Sequence, residues 1–294
     1  MINLKVKQLS KQLDKFQLTD LNFEIEAGTV MGFVGENGAG KTSTIHCILQ
    51  LLKPDSGTVE IFGEPYHVDA TDVKQQIGVV FDSLHFPDTM EVKALEQLYA
   101  NMYKNWDQAY FDQLLTRLNV SKTQIVKKMS AGTQKKLTIA LALAYRPKLL
   151  LLDEPTSQLD AISRDEVTTI LAEFMESGDR SILFSSHITS DLEKIADTIT
   201  LIHDGRVAFS ENKDDLLYKY HTFKGSIEQS LAIPKEAIVS KRDNVFGVEV
   251  LVKRELVPTS IPLQKPDLEN VLVLFMKQLK HAQMVKNQEA AARG

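Results

Sequence analysis

The stretch GENGAGKTS (35–43) constrains the fold more than any other. It follows an apolar run, TVMGFV (29–34), and precedes STIHCILQLL (43–52), which has helical spacing and stops before Lys53-Pro54. A GxxxxGK[ST] pattern between a strand and a helix is a phosphate-cradling loop. Its glycines let backbone N–H groups turn inward with no Cβ in the way, and the helix start adds its positive end. Gly35, Gly40, Lys41 and Thr42 fill the fixed positions, with Glu36, Asn37, Gly38 and Ala39 between them and Ser43 behind. Lys41 is expected to reach the β- and γ-phosphates of a nucleotide, Thr42 to offer its hydroxyl to Mg²⁺, and Ser43 to bond an adjacent phosphate oxygen.

Many functions share this loop, so the rest of the chain must choose among them. LLLLDEP (149–155) reads as a buried strand that carries Asp153 to the carboxyl edge of a sheet, where open α/β folds bind ligands. One carboxylate there suits Mg²⁺, and the next, Glu154, is placed to orient and deprotonate a water. A solvated strand end is the plainer alternative. MSAGTQKKL (129–137) precedes an apolar helix, LTIALALAY (137–145). Ser130 and Gly132 read either as a helix cap or as a second phosphate-binding helix start that meets the nucleotide of a partner subunit.

Alternating apolar runs and helical stretches predict an α/β protein with a largely parallel sheet. Expected strands are LNFEIEAG (21–28), TVMGFV, GTVEIFG (57–63), QQIGVVFD (75–82), KLLLLD (148–153), SILFSS (181–186) and TITLIHDG (198–205). From about 88 to 145 the pattern turns helical and predicts an inserted lobe. After about residue 220 a small accessory domain is expected: a polar, irregular stretch, a strand (245–253) and a helix with Asp267 near its cap. In that helix Leu268, Leu272, Phe275, Leu279 and Ala282 recur at alternating spacings of four and three, which suits a dimer seam; flanking apolar residues favour packing on its own domain instead. The final NQEAAARG reads as a frayed end.

Composition narrows the partners. The net charge of -5 and pI of about 5.8 argue against general nucleic-acid binding, which needs clustered Lys and Arg. No window reaches the roughly 20 apolar residues of a membrane helix. The single cysteine, Cys47, lies among apolar residues, so a buried, inert thiol is expected.

Together the motifs resemble the ATP-binding subunits of ABC transporters over about residues 1–220. GENGAGKTS resembles the Walker A loop, MSAGT the signature LSGGQ, and LLLLDEP Walker B with its catalytic glutamate. SQLD (157–160) resembles the loop after it, with Asp160 at the dimer contact, and FSSH (184–187) ends in His187, matching the switch histidine. The resemblance implies a P-loop ATPase core, an antiparallel β-subdomain, an inserted helical lobe and a small C-terminal α+β extension. It further implies ATP and Mg²⁺ as ligands, and a homodimer or heterodimer closing over two ATP molecules. FDSLHFPDTMEV (81–92) is expected to couple closure to membrane-spanning subunits, holding the protein on the inner face of the cell membrane. The end of the chain resembles subunits of bacitracin-resistance exporters, so export of a drug, peptide or lipid-like substrate is expected.

Three departures stand out. Asp82 replaces the family's usual glutamine, adding a charge and losing a donor while still offering oxygen to Mg²⁺. Ala131 and Thr133 replace a glycine and a glutamine of the signature. The adenine-stacking aromatic is absent from its usual place, where Leu13 is near; Phe16 is the nearest aromatic, with core packing as its alternative role. The rival readings are a GTPase, from NKDD (212–215), a soluble ABC-type ATPase acting on ribosome or nucleic acid, and a phosphotransferase. A polar helix start explains NKDD, and DEP followed by SQLD has no place in a GTPase.

Overall fold

The computed structural model describes every residue except 84, 85, 88, 246 and 294, and describes no side chain at 244, 282, 283 or 285–293. The chain divides into two compact units, Met1–Ser210 and Glu211–Gly294. The change of character in the sequence predicts this boundary near 220. The second unit starts earlier because α8 (Lys213–Lys219), capped by Asn212, clusters with the residues that follow it.

In the first unit, β1 (Ile2–Gln12), β2 (Gln17–Glu26), β4 (Ser56–Ile61) and β5 (Glu64–Pro65) form an antiparallel sheet in the order β2-β1-β4-β5. The first of these was not anticipated: INLKVKQLSKQ alternates imperfectly because register shifts interrupt its pairing with both neighbours.

A six-stranded sheet holds the site. It contains β3 (Val30–Val34), β6 (Ile77–Val80), β7 (Leu149–Asp153), β8 (Ser181–Ser186), β9 (Thr198–His203) and β10 (Arg206–Asn212), ordered β10-β9-β3-β8-β7-β6. Every residue of β3, β7 and β8 is buried, as expected for parallel strands covered on both faces. The parallel register pairs Val34 with Ser186 and Asp153 with Ser185, so the ends of β3, β7 and β8 reach one edge together.

The connecting helices are α1 (Lys41–Ile48), α2 (Thr71–Lys74), α3 (Val92–Met102), α4 (Gln108–Arg117), α5 (Ala131–Ala144), α6 (Ala161–Met175) and α7 (Thr189–Ile195). The three helices from α3 to α5 make the expected helical lobe. An aromatic group backs it, with Tyr103 and Tyr145 stacked 3.7 Å apart. Cys47 is fully buried, and burial raises its thiol pKa to about 11.

The second unit corrects one expectation. The stretch read as polar and irregular contains β11 (Tyr220–Gly225), the short α9 (Ile227–Ser230) and β12 (Ile238–Asn244). They flank β13 (Gly247–Lys253) in an antiparallel sheet ordered β11-β13-β12. The central strand is buried from Val248 to Val252 and holds one charge there, Glu249, which pairs with Lys224 and Arg242 of the edge strands; those residues, with Lys241, hid the edge strands' period. Asp267 caps α10 (Leu268–Arg293), accepting from Asn270 N–H at 2.7 Å. Leu268, Val271, Leu272 and Leu274 are fully buried, while Phe275 meets Tyr220 edge-on at 4.9 Å. Ala282 of the suggested seam lies outside the described side chains, as do those of the NQEAAARG end.

Candidate active site

The glycine loop runs from the end of β3 to the start of α1. Gly40 stands at the helix cap with φ of 108°, where a Cβ would lie 2.6 Å from Leu18 and 3.0 Å from the Phe16 ring. Only glycine fits that conformation and that space together. The loop, with Leu13, Phe16, Asp82 and Glu154, lines a cavity of about 410 Å³.

Lys41 is 6% exposed, and its ammonium points back into the loop. Its Nζ donates to Gly35 O at 2.7 Å and Glu36 O at 3.3 Å, and lies 3.4 Å from Glu154 Oε1. Thr42 Oγ1 donates to Asp153 Oδ2 at 2.6 Å, and Ser185 Oγ donates to Asp153 Oδ1 at 3.0 Å. The buried Asp153 carboxylate is thus aimed from both sides. Ser185 was not singled out in the sequence; its place follows from the β7–β8 register.

Glu154 is held under strain. Its φ is 48°, a left-handed conformation that costs a non-glycine residue of order 1–3 kcal/mol. Its N–H donates to Ser185 O, and its Oε2 lies 2.7 Å from His187 Nδ1. Among the described residues Oε1 is buried with no hydrogen-bond partner, 3.4 Å from Lys41 Nζ. A carboxylate oxygen aimed at a phosphate cavity and left without a donor is suited to hold a water.

Asp82 lines the same cavity. Ser157 Oγ donates to its Oδ1 at 3.4 Å, and Lys135 Nζ lies 3.6 Å away. Nothing local in the sequence marks Lys135, one lysine among several polar residues at a helix start. Phe16 and Leu13 both line the cavity, and their backbones bond each other across the turn between β1 and β2. Behind that turn, Gly205 N–H donates to Ala39 O, and Gly205 O accepts from Thr19 N–H. A Cβ at Gly205 would sit 1.8 Å from Gln17 O and 3.2 Å from the Phe16 ring.

Two groups lie elsewhere. Ser130 is the exposed cap of α5, accepting from Thr133 N–H at 3.1 Å, with Gly132 in the first turn; neither lines the glycine-loop cavity. Asp160 caps α6, accepting from Ser163 N–H and Oγ at 2.9 Å each, and the backbone donor holds its carboxyl below the usual range. Asn212 caps α8 by accepting from Asp214 and Asp215 N–H, so NKDD is a helix start.

A nucleotide-phosphate loop, a metal-suited carboxylate, an adjacent strained glutamate and a histidine beside it, on this sheet order, define an ABC-type ATPase. The chain belongs to the ABC transporter family, whose profile matches residues 18–157. It is 33% identical over 218 residues to the ABC transporter ATP-binding protein YtrB of Bacillus subtilis (strain 168), covering 74% of each chain. It is 33% identical over 207 residues to the bacitracin transport ATP-binding protein BcrA of Bacillus licheniformis, covering 69% of this chain and 68% of that one. The fold is shared with a dimeric ATP-binding cassette solved in a post-hydrolysis state with ADP and phosphate. The TM-score is 0.64 and the identity 21%, covering 71% of this chain and 98% of the other. The protein is an ATP-binding, ATP-hydrolysing subunit of the ABC transporter type.

Proposed function

We propose that this chain works as a dimer, with itself or a related ATPase, and drives a substrate through separate membrane subunits. The observation that carries this reading is a divided site. Lys41 and Glu154 line the glycine-loop cavity, with Asp153 bonded to Thr42 and His187 to Glu154 behind it, while the signature pair Ser130 and Gly132 starts a helix away from it, with the serine exposed. A second copy facing head to tail supplies that helix start to the open side, and Asp160 lies at the contact.

In this reading Gly35 to Ser43 hold the triphosphate, Glu154 takes the proton of the attacking water, and His187 orients Glu154 and senses the γ-phosphate. Phe16, with Leu13, bounds the base. Mg²⁺ fits the residues present. Thr42 and Asp153 meet at the cavity, Asp82 offers a further oxygen, and Mg²⁺ ordinarily binds through one or two carboxylates plus phosphates and water. No cluster of three His, Cys, Asp or Glu that could hold a metal is needed, and none occurs among the described residues. When bound, the ion neutralises charge on the phosphate oxygens.

A second cavity of about 660 Å³ shares Thr42 and Asp82 with the first and includes Asp153; its aromatic lining of Phe81, Phe86, Tyr99 and Tyr103 suits a cytoplasmic loop of the membrane subunit. Leu98 and Met102 of α3, on the same lobe, are exposed. Residues 84, 85 and 88 of the expected coupling segment lie outside the described residues. No helix among the described residues is long and apolar enough to cross a membrane, so membrane attachment in this reading comes through those subunits, at the inner face. The BcrA likeness supports export of a drug, peptide or lipid-like substrate, and residues beyond about 220 act as an accessory domain.

The test is assembly. Glu154→Gln protein with Mg-ATP should elute as a dimer by light scattering, and Ser130→Ala in the same background should not. A monomer throughout, with no companion ATPase restoring pairing, would overturn the reading.

A further inference from the structure

Among the described residues, two lysines are buried: Lys41 in the glycine loop and Lys135 on α5. Lys135 is 1% exposed. Burying an ammonium costs several kcal/mol unless it is hydrogen-bonded and paired. A cation near a helix start also gains nothing from the macrodipole. Something outside the helix must therefore hold it. Its Nζ donates to Phe81 O and to Asp82 O, both at 2.9 Å, and lies 3.6 Å from the Asp82 carboxylate. These groups follow β6, on the nucleotide-binding core, whereas Lys135 sits five residues past the exposed signature serine on the helical lobe. Burial lowers the Lys135 pKa, and Asp82 opposes that.

The departure at Asp82 now has a partner. A neutral glutamine in that place needs no counter-charge. Asp82 lines the glycine-loop cavity with Glu154 and a second cavity with Asp153, so an aspartate in this place adds a third carboxylate to the region, and Lys135 balances it. We propose that Lys135 is a positioning residue for ATP hydrolysis. It pins the backbone after β6, pairs with Asp82, and so ties the acidic residue at the phosphate cavity to the helix that carries Ser130. Movement of the helical lobe then carries Asp82 with it. This rests on the reading of the glycine-loop cavity as the ATP site.

The experiment is a double-mutant cycle of Asp82→Asn, Lys135→Met and the pair. The readouts are kcat, ATP affinity and the unfolding midpoint of the nucleotide-free protein. Lys135→Met should lower kcat by about tenfold, within the usual coupling of contacting residues, with ATP affinity held within about twofold. Adding Asp82→Asn should recover about threefold of that loss, and the unfolding midpoints should be non-additive in the same sense. Effects that simply multiply, or a lower midpoint with normal kcat per folded molecule, would overturn the proposal. Should Lys135→Met not fold, Asp82→Gln decides. It restores the family's usual residue but strands the buried cation, so kcat should fall; an unchanged or higher kcat refutes the pairing. Lys41→Ala separates the two levels. If it binds ATP normally, the cavity is not the nucleotide site and both readings fail. If it does not bind and the cycle multiplies, only the Lys135 proposal fails.

Discussion

Replacing Glu154 with glutamine should pull binding and turnover in opposite directions. Lys41 Nζ is shared between two loop carbonyls and Glu154 Oε1, and an incoming phosphate oxygen must draw it from all three. At 3.4 Å, with an effective dielectric of about 20, the Lys41–Glu154 attraction is about 5 kcal/mol before solvation is counted. Water in the open cavity and the two carbonyls offset most of that. A residue of about 1.4 kcal/mol corresponds to about tenfold in affinity. Glutamine also removes a negative charge facing the phosphates, which acts in the same direction. The same change deletes the proposed base, and turnover should fall about 10²–10⁴-fold. Calorimetric ATP titration and a phosphate-release assay on the same preparation measure both quantities. ATP binding that is weaker than in the parent protein would refute the competition for Lys41. Turnover within threefold of the parent would refute the role of Glu154.

Other perturbations test single contacts. Gly40→Ala combines a left-handed backbone with a 2.6 Å approach to Leu18, so ATP binding should be lost and the unfolding midpoint should fall. Asp160→Ala removes the cap of α6 and should cost about 1 kcal/mol in denaturant unfolding. Cys47, with its thiol raised to about 11, should resist iodoacetamide at pH 8 in the native protein and react once it is unfolded in urea. Rapid native alkylation would place it outside the core.

The glycine loop, the buried strands and the helical lobe were legible because each is a local pattern: a fixed motif, an apolar run, a helical spacing. The α8 start was legible for the same reason, since Asn212 caps within its own turn. The relation between Asp153 and Ser185 was not, because it depends on which strands are neighbours, and strand order is a property of the folded sheet. Lys135 was hidden more deeply. Its spacing fits a polar helix start, and only the approach of the chain after β6 turns it into a buried cation. The edge strands β11 and β12 escaped because charged residues, two of them partners of the buried Glu249 in β13, break the apolar period that revealed β13.

The hairpin residue Gly205 has a consequence for base selection. It clasps Ala39 of the glycine loop on one side and Thr19 on the other, while crowding Gln17 and the Phe16 ring. The Phe16 wall, proposed above to bound the base, is therefore set from a position far along the chain that does not line the cavity. Screens for variants with altered preference between adenine and guanine nucleotides should recover changes at this hairpin as well as at the wall itself.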